Sequence, residues 1–117
     1  MDVDATLPMR DGAGFFAYDL RIGTIAAVHP NPGARKPAYV LDLDLGPLGH
    51  QTSSAQLTVR YRPEDLIGRQ VVCVVNLPPR RIAGVESQVL VLGAILGDGD
   101  VVLLEPEGTC PDGARIG

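Results

Sequence analysis

The sequence has 117 residues, of which 45% are hydrophobic and 4% aromatic, and its formal net charge is −4. This length fits one domain with a single core, and no apolar run approaches the ~18 residues that a membrane-spanning helix needs. The acidic total by itself argues against nucleic-acid binding. However, residues 35–81 hold seven basic and four acidic residues, whereas both ends are acidic. A fold that gathers this central charge on one face could hold a polyanion.

The N-terminal segment, residues 1–14, is acidic and has no hydrophobic periodicity. We therefore expect it to be flexible, and it lacks the apolar core of a secretory signal. The two cysteines, Cys73 and Cys110, form no CxxC pair. These features predict a reduced, cytoplasmic protein whose folded domain begins at residue 15 and ends at residue 117.

Three of the five aromatic residues, Phe15, Phe16 and Tyr18, fall within four positions. Burying one such side chain is worth roughly 1.5–3 kcal/mol, so a chain this poor in aromatics is not expected to leave the cluster in water. We expect the cluster and Ile116 in the C-terminal tail to form the interface of a homodimer with two-fold symmetry. The alternative is an aromatic lid over one end of a monomer.

Six segments are predicted to be β-strands from their alternation or their content of β-branched residues: 20–28, 39–45, 50–59, 70–75, 89–95 and 101–104. Gly23 predicts a bulge or a sharp bend in the first strand. The alternation of the second strand directs Leu41, Leu43 and Leu45 toward the core. In the third strand, the predicted faces are Ala55, Leu57 and Val59 on one side and Ser54, Gln56 and Thr58 on the other.

Short turns join these strands. Residues 63–68 begin with proline and end with glycine, which predicts one helical turn between the third and fourth strands. Asp98-Gly99 predicts a hairpin, and residues 105–117 are expected to be an irregular tail. This order favours an all-β OB-fold, a five-stranded Greek-key barrel with N- and C-terminal extensions. Another small barrel or a sandwich is compatible with the pattern alone.

The segment 76–94 connects two apolar strands through two prolines, two arginines and a polar cluster. Binding residues concentrate on loops that rigid strands hold at both ends. Gly84 indicates a backbone position that a Cβ would hinder. This connection is the strongest candidate for a functional loop, and a plain solvated hairpin is the alternative.

Signatures of catalysis are missing from the sequence. His29 and His50 have no Cys or acid at metal-ligand spacing, which favours two lone surface histidines. No serine lies in a GxSxG motif, and no GxGxxG or GxxxxGK[ST] loop is present. We therefore predict no metal, no cofactor and no enzymatic turnover.

Five segments carry a resemblance to a known family: DLRIGTI (19–25), ARKPAYVLDLDLG (34–46), SSAQLT (53–58), LIGRQVVCVVNLPPRRIAGVESQVLVLGA (66–94) and DGDVVLLEP (98–106). Together they closely resemble the EMAPII-like tRNA-binding-domain family, and within it the CsaA-like export chaperones. The resemblance implies an OB-fold that binds tRNA through barrel loops and a polar strand face. It also implies a homodimer and, for the chaperone branch, binding of unfolded preproteins.

The resemblance carries over a set of candidate tRNA- or peptide-binding residues. They are Arg35, Lys36, Gln56, Asn76, Arg80 and Ser87, to which the neighbouring Arg81 and Gln88 are added. We expect the four cationic residues of this set to converge on one rim of the barrel. Val89-Leu90 and Ala55-Gln56 depart from the Gly-Met and Ser-Gly of many tRNA-binding members, which favours the chaperone branch. A dedicated tRNA-binding module that assists translation is the alternative.

Overall fold

The computed structural model, which describes residues 3–117, is built of antiparallel strands and short helical turns. The strands are β1 (Leu20–Pro30), β2 (Tyr39–Asp44), β3 (His50–Ala55), β4 (Gln70–Val74), β5 (Arg80–Ile82), β6 (Val85–Ser87), β7 (Leu90–Val91), β8 (Gly93–Ile95), β9 (Val101–Leu103) and β10 (Arg115–Ile116). The helical turns are α1 (Gly12–Phe15), a 3-10 turn (Gly46–Leu48) and α2 (Pro63–Leu66). The main sheet has the order β3-β2-β1-β4-β7, with β10 beside β1. The sheet curls into a nearly closed five-stranded barrel, so the predicted OB-fold is confirmed.

Strand β1 bends across the barrel and changes partner along its length. Its first residues, Leu20–Thr24, pair with β4, and its remaining residues pair with β2. The bulge lies between Ile25 and Ala27, and not at Gly23 as the sequence suggested. Gly23 sits in regular pairing, and a Cβ there would lie 2.7 Å from Leu45 Cδ2. A larger residue at this position would therefore have to displace the buried Leu45 side chain, which accounts for the glycine.

Aliphatic side chains from alternating positions fill the barrel. Leu41, Leu43 and Leu45 are fully buried, which confirms the alternation predicted for β2. Leu66 of α2 is fully buried in the same cluster. Cys73 lies within it, and burial raises the pKa of its thiol to about 12, so Cys73 stays a neutral core residue.

Two predicted strands are shorter than the sequence suggested. Strand β3 ends at Ala55 because Leu57 folds back to donate its N–H to the Ala55 carbonyl. Leu57 remains buried, but Val59 is 62% exposed and does not share its face. The segment 89–95 is divided at Leu92, whose N–H donates to Val72 of β4 while its carbonyl accepts from Leu104, just after β9. The segment thus pairs with β4 before Leu92 and with β9 after it. Its last residue, Ile95, is 85% exposed.

Three short strands were not predicted. Strands β5 and β6 form a hairpin whose two turn residues, Ala83 and Gly84, have φ angles of 49° and 82°. Positive φ at both positions is typical of a type I′ turn. Glycine at position 84 is therefore favoured by the positive φ angle and not by the steric hindrance expected from the sequence, since an added Cβ would meet nothing within 4 Å. The predicted hairpin at Asp98-Gly99 is confirmed between β8 and β9.

The C-terminal tail is tied to the barrel of its own chain. Ile22 exchanges backbone hydrogen bonds with Gly113 and Ala114, and β10 then pairs with β1. The side-chain amide of Gln70 binds both the N–H and the carbonyl of Cys110. The tail was expected to be irregular, but these bonds hold it in an extended path. In residues 3–117, no helix combines the length and the apolar character needed to cross a bilayer.

Gly46 and Gly84 offer a matched test of close packing, since both have positive φ angles, 60° and 82°. We expect Gly84→Ala to lower the free energy of unfolding by about 1 kcal/mol, the usual cost of a left-handed alanine. A Cβ on Gly46 would overlap the Asp112 carbonyl. Gly46→Ala should therefore cost about 1–3 kcal/mol more than Gly84→Ala. Urea unfolding of both variants measures the difference, and equal losses would contradict close packing against the tail.

Candidate functional site

The loop between β1 and β2 and the hairpin β5–β6 lie side by side. Asn31 is only 7% exposed, and its side-chain amide donates to the Ile82 carbonyl at 3.4 Å. A Cβ at Gly33 would lie 3.5 Å from that of Ala83 at the hairpin turn. These contacts place the basic residues of the loop beside those of the hairpin.

Two adjoining cavities lie where the loop and the hairpin meet strand β3. One, of about 250 Å³, is lined by Arg35, Lys36 and Gln56 together with small loop residues. The other, of about 220 Å³, is lined by Arg80, Ser87, Gln88, Leu90 and the Leu77-Pro78 turn. Both cavities include Ser54 and Ile82. We call the two together the basic groove, and it brings together six of the eight candidate binding residues.

Ser54, Ile82 and Leu90 line the groove but were missed as site residues. For Ser54, the polar face predicted for the third strand was a usable signal. Nothing in the sequence marked Ile82 and Leu90 as site residues, because an apolar residue in a strand is normally assigned to the core. Leu90 is instead 48% exposed.

Positive charge in the basic groove is not neutralised by the chain itself. In the described residues, the groove cations Arg35, Lys36 and Arg80 form no ion pair, and the same is true of Arg10, Arg81 and Arg115 outside the groove. The remaining arginines pair with acids: Arg21 with Asp19, Arg60 with Asp100, Arg62 with Glu64 and Asp65, and Arg69 with Glu105. A side-chain hydrogen bond from Arg60 lowers the pKa of Asp100, and one from Arg21 does the same to Asp19.

Arg81 lies outside both cavities. Adjacent residues of a strand point to opposite faces, so Arg80 and Arg81 diverge. The Arg81 side chain returns along the hairpin and donates Nη1–H to the Gly84 carbonyl at 3.2 Å. Of the four cationic residues expected to converge on one rim, Arg35, Lys36 and Arg80 line the groove and Arg81 does not.

Asn76 anchors the N-terminal segment to the end of β4. Its Oδ1 accepts the Asp19 N–H at 2.8 Å, and its Nδ2 donates to the Ala17 carbonyl at 2.9 Å. Val75 adds a backbone bond to Asp19. Both polar ends of the Asn76 side chain are thus engaged by backbone.

Ser87 and Gln88 close the barrel. Gln88 Oε1 accepts the Thr52 N–H at 2.9 Å, while the Gln88 N–H donates to the Thr52 carbonyl at 2.7 Å. Ser87 Oγ accepts the Ser54 N–H at 3.0 Å. We call these bonds the clasp. The acceptor atoms of both side chains serve the fold, which leaves the Gln88 amide N–H groups and the Ser87 hydroxyl hydrogen to face a ligand.

The predicted interface residues lie in two places. Phe15, Phe16 and Tyr18 are 53%, 65% and 54% exposed, and the two phenylalanine rings meet edge to face with centroids 5.6 Å apart. Ile116 is half-buried and pairs with Leu20 of β1 in the same chain. Each of the three side chains is more than half exposed, whereas an aromatic lid over the chain's own barrel end would be largely buried.

His50 is not a lone surface histidine. Its Nδ1 lies 2.9 Å from Asp42 Oδ1 on the neighbouring strand, and hydrogen bonding to that carboxylate raises the pKa of His50. The sequence did not reveal the pair because the two residues are eight positions apart, and only strand pairing joins them. Residues 3–117 contain no group of three or more His, Cys, Asp or Glu side chains placed to hold a metal.

The family described as "Putative tRNA binding domain" matches residues 20–115. A crystal structure of chaperone CsaA from Bacillus anthracis str. Ames is 51% identical, covers 94% of this chain and all of that chain, and superposes with a TM-score of 0.90. A CsaA chaperone protein from Picrophilus torridus is 41% identical, covers 93% of this chain and all of that chain, with a TM-score of 0.87. The methionine–tRNA ligase of Pyrococcus furiosus is 44% identical over 87% of this chain, which spans 14% of the length of that ligase.

The clasp can be tested one bond at a time. Gln88→Met keeps the side-chain length but removes the acceptor for the Thr52 amide, and Ser87→Ala does the same for the Ser54 amide. A hydrogen bond of about 1–1.5 kcal/mol corresponds to roughly tenfold in an opening equilibrium. Amide hydrogen exchange followed by NMR should therefore accelerate about tenfold at Thr52 in the first variant and at Ser54 in the second. Each variant is the control for the other, and unchanged exchange at both amides would contradict the clasp.

Proposed function

Because this chain belongs to the tRNA-binding-domain family, we propose that it is a non-enzymatic protein whose basic groove binds tRNA. We further propose that it acts in the cytoplasm as a CsaA-like chaperone for unfolded or export-bound polypeptides. The observation that carries the tRNA proposal is the set of unpaired cations Arg35, Lys36 and Arg80 around one groove. Phosphate groups are the partners that such cations lack.

The composition of the groove agrees with RNA as its ligand. Gln56, Ser54, Ser87 and Gln88 line it between the cations and carry no charge. Amide and hydroxyl groups can bind sugars and base edges without repelling phosphate. An acidic protein thus keeps a local basic surface, because the acids that form ion pairs with arginine do so outside the groove.

The chaperone proposal is supported by similarity over whole chains. The two CsaA structures are matched along their full length, whereas the methionine–tRNA ligase of Pyrococcus furiosus is matched over a small part. The similarity to that ligase favours the second candidate, a dedicated tRNA-binding module that assists translation. Binding of the purified chain to tRNA and to an unfolded polypeptide at physiological salt separates the two, since the dedicated module binds only tRNA.

We expect single alanine variants of Arg35, Lys36 and Arg80 to bind tRNA more weakly than the parent. Each lost phosphate contact should also reduce the salt dependence of binding by about one unit of slope. Arg62→Ala is the matched control, because Arg62 is exposed, pairs with Glu64 and Asp65, and lies outside the groove. Fluorescence anisotropy over a series of salt concentrations measures both quantities. If all three variants bind with the affinity and slope of the parent, the groove is not the tRNA site.

We also propose a homodimer that buries the exposed cluster of Phe15, Phe16 and Tyr18. Asn76 supports this arrangement by holding the segment that follows the two phenylalanines. Two linked grooves would gain avidity for any ligand that spans both.

Light scattering of the parent at micromolar concentration should give the mass of two chains, and the double variant Phe15→Asp, Phe16→Asp should give the mass of one. A control with Val3→Asp, an equally apolar exposed residue in the N-terminal segment, should remain a dimer. A parent with the mass of one chain would refute the dimer, and a dimeric double variant would move the interface to another surface.

A further inference from the structure

The wall of the barrel opens on one side of the clasp. Beyond Thr52 and Ser54, strand β3 separates from the segment 90–95, and a cavity of about 290 Å³ lies between them. Aliphatic side chains line it, among them Leu57, Leu90, Val91, Ile95 and Val101. No charged side chain of residues 3–117 lines this cavity, which we call the seam. The seam adjoins the basic groove through Ser54 and Leu90.

One edge of the seam carries backbone groups that the barrel does not use. In an antiparallel pair, alternate residues direct both N–H and C=O to the same neighbour. Leu92 donates its N–H to the Val72 carbonyl and accepts the Leu104 N–H at its own carbonyl, and Leu96 donates its N–H to the Asp100 carbonyl. Even-numbered residues of this segment therefore face β4 and β9.

Odd-numbered residues of the same segment face the seam. Val89 shows the direction, since its N–H donates to the Thr52 carbonyl of β3 at 3.3 Å. Val91, Gly93 and Ile95 follow the same alternation and point toward β3. By register, the ladders of β7 with β4 and of β8 with β9 use the even-numbered residues. In the described part of the chain, no hydrogen bond outside these ladders reaches the amides or carbonyls of Val91, Gly93 and Ile95.

We propose that the seam takes an extended, uncharged polypeptide segment, which adds as a strand to the edge from Val91 to Ile95. This inference rests on the proposed chaperone function and names the chemistry that it recognises. The edge spans four residue steps, or about 13 Å, which suits about five residues of extended peptide. Ile95, at 85% exposure, and Leu90, at 48%, offer apolar contact to alternate side chains of the peptide.

The seam favours a polypeptide over a nucleic acid. Its edge presents N–H and C=O groups in equal number, and a peptide backbone supplies a partner for each. A phosphate backbone supplies acceptors only, so the carbonyls of Val91, Gly93 and Ile95 would remain without donors. The cations that could hold phosphate lie in the basic groove. The two ligand classes thus have adjoining but separate sites.

The test uses a fluorescein-labelled, neutral eight-residue peptide of alternating leucine and serine, with anisotropy as the measurement. Two further peptides carry N-methyl groups on every leucine amide or on every serine amide. In an added strand, only one of these sets of amides faces the protein edge. We expect one N-methylated peptide to bind at least about tenfold more weakly than the parent peptide, while the other stays within about threefold. Equal binding of all three would overturn strand addition.

Variants locate the peptide. Ile95→Asp should weaken binding of the unmethylated peptide at least about tenfold and leave tRNA binding unchanged. Arg80→Ala should do the reverse. Ile67→Asp is the matched control for an added charge, because Ile67 is an exposed apolar residue, at 55%, outside the seam. Ile95→Ser serves as a second seam variant if circular dichroism shows that Ile95→Asp is not folded.

Other outcomes would overturn the inference. Peptide binding lost in Arg80→Ala but kept in Ile95→Asp would place the peptide in the basic groove. Loss of tRNA binding in Ile95→Asp would make the seam a nucleic-acid site. If Ile95→Asp has a different assembly mass from the parent and still binds the peptide, this edge pairs with a second copy of the chain. If the peptide does not bind but the parent still prevents aggregation of an unfolded protein, the seam fails while the chaperone proposal stands.

Discussion

The hydrogen bonds of Thr52 to Gln88 determine how this barrel closes. Strand β3 is the end strand of the sheet, and its outer edge would otherwise present free N–H and C=O groups. The segment that leaves the hairpin β5–β6 meets this edge with two backbone amides and two side-chain oxygens. Because side chains replace part of the backbone hydrogen-bond ladder, the contact between β3 and this segment is short. It closes the barrel at the groove and leaves it open at the seam.

The same closure explains how an acidic chain carries a basic surface. By fixing the hairpin against β3, it places Arg80 beside the loop that carries Arg35 and Lys36. The acids of the chain lie mainly at its two ends, and several of them meet arginines of the barrel, as Asp19 meets Arg21 and Asp100 meets Arg60. Net charge therefore says little about this molecule until the fold shows which charges are already paired.

Local patterns in the sequence predicted what depends on local geometry. The alternation of Leu41, Leu43 and Leu45 and the turn at Asp98-Gly99 needed no knowledge of distant residues, and both are confirmed. Val59 was misplaced because strand β3 ends at Ala55, where Leu57 turns back to donate its N–H to the Ala55 carbonyl. The groove residues came from family resemblance. Neither pattern nor resemblance could show that Asn76 and the oxygens of Ser87 and Gln88 bind backbone, since those bonds join residues between 33 and 59 positions apart.

The clasp also divides the groove residues by how freely they can change over evolution. Ser87 and Gln88 are constrained by the barrel, since most replacements would remove an acceptor that β3 requires. Arg35, Lys36, Gln56 and Arg80 line the same groove, and in residues 3–117 their side chains form no hydrogen bond or ion pair with the rest of the chain. Under the proposed function, exchanges at these four positions would alter ligand preference at little cost to folding. The residues that maintain the barrel are thus different from the residues that can vary in the groove. A combinatorial library confined to these four codons would therefore sample new binding properties on an intact barrel.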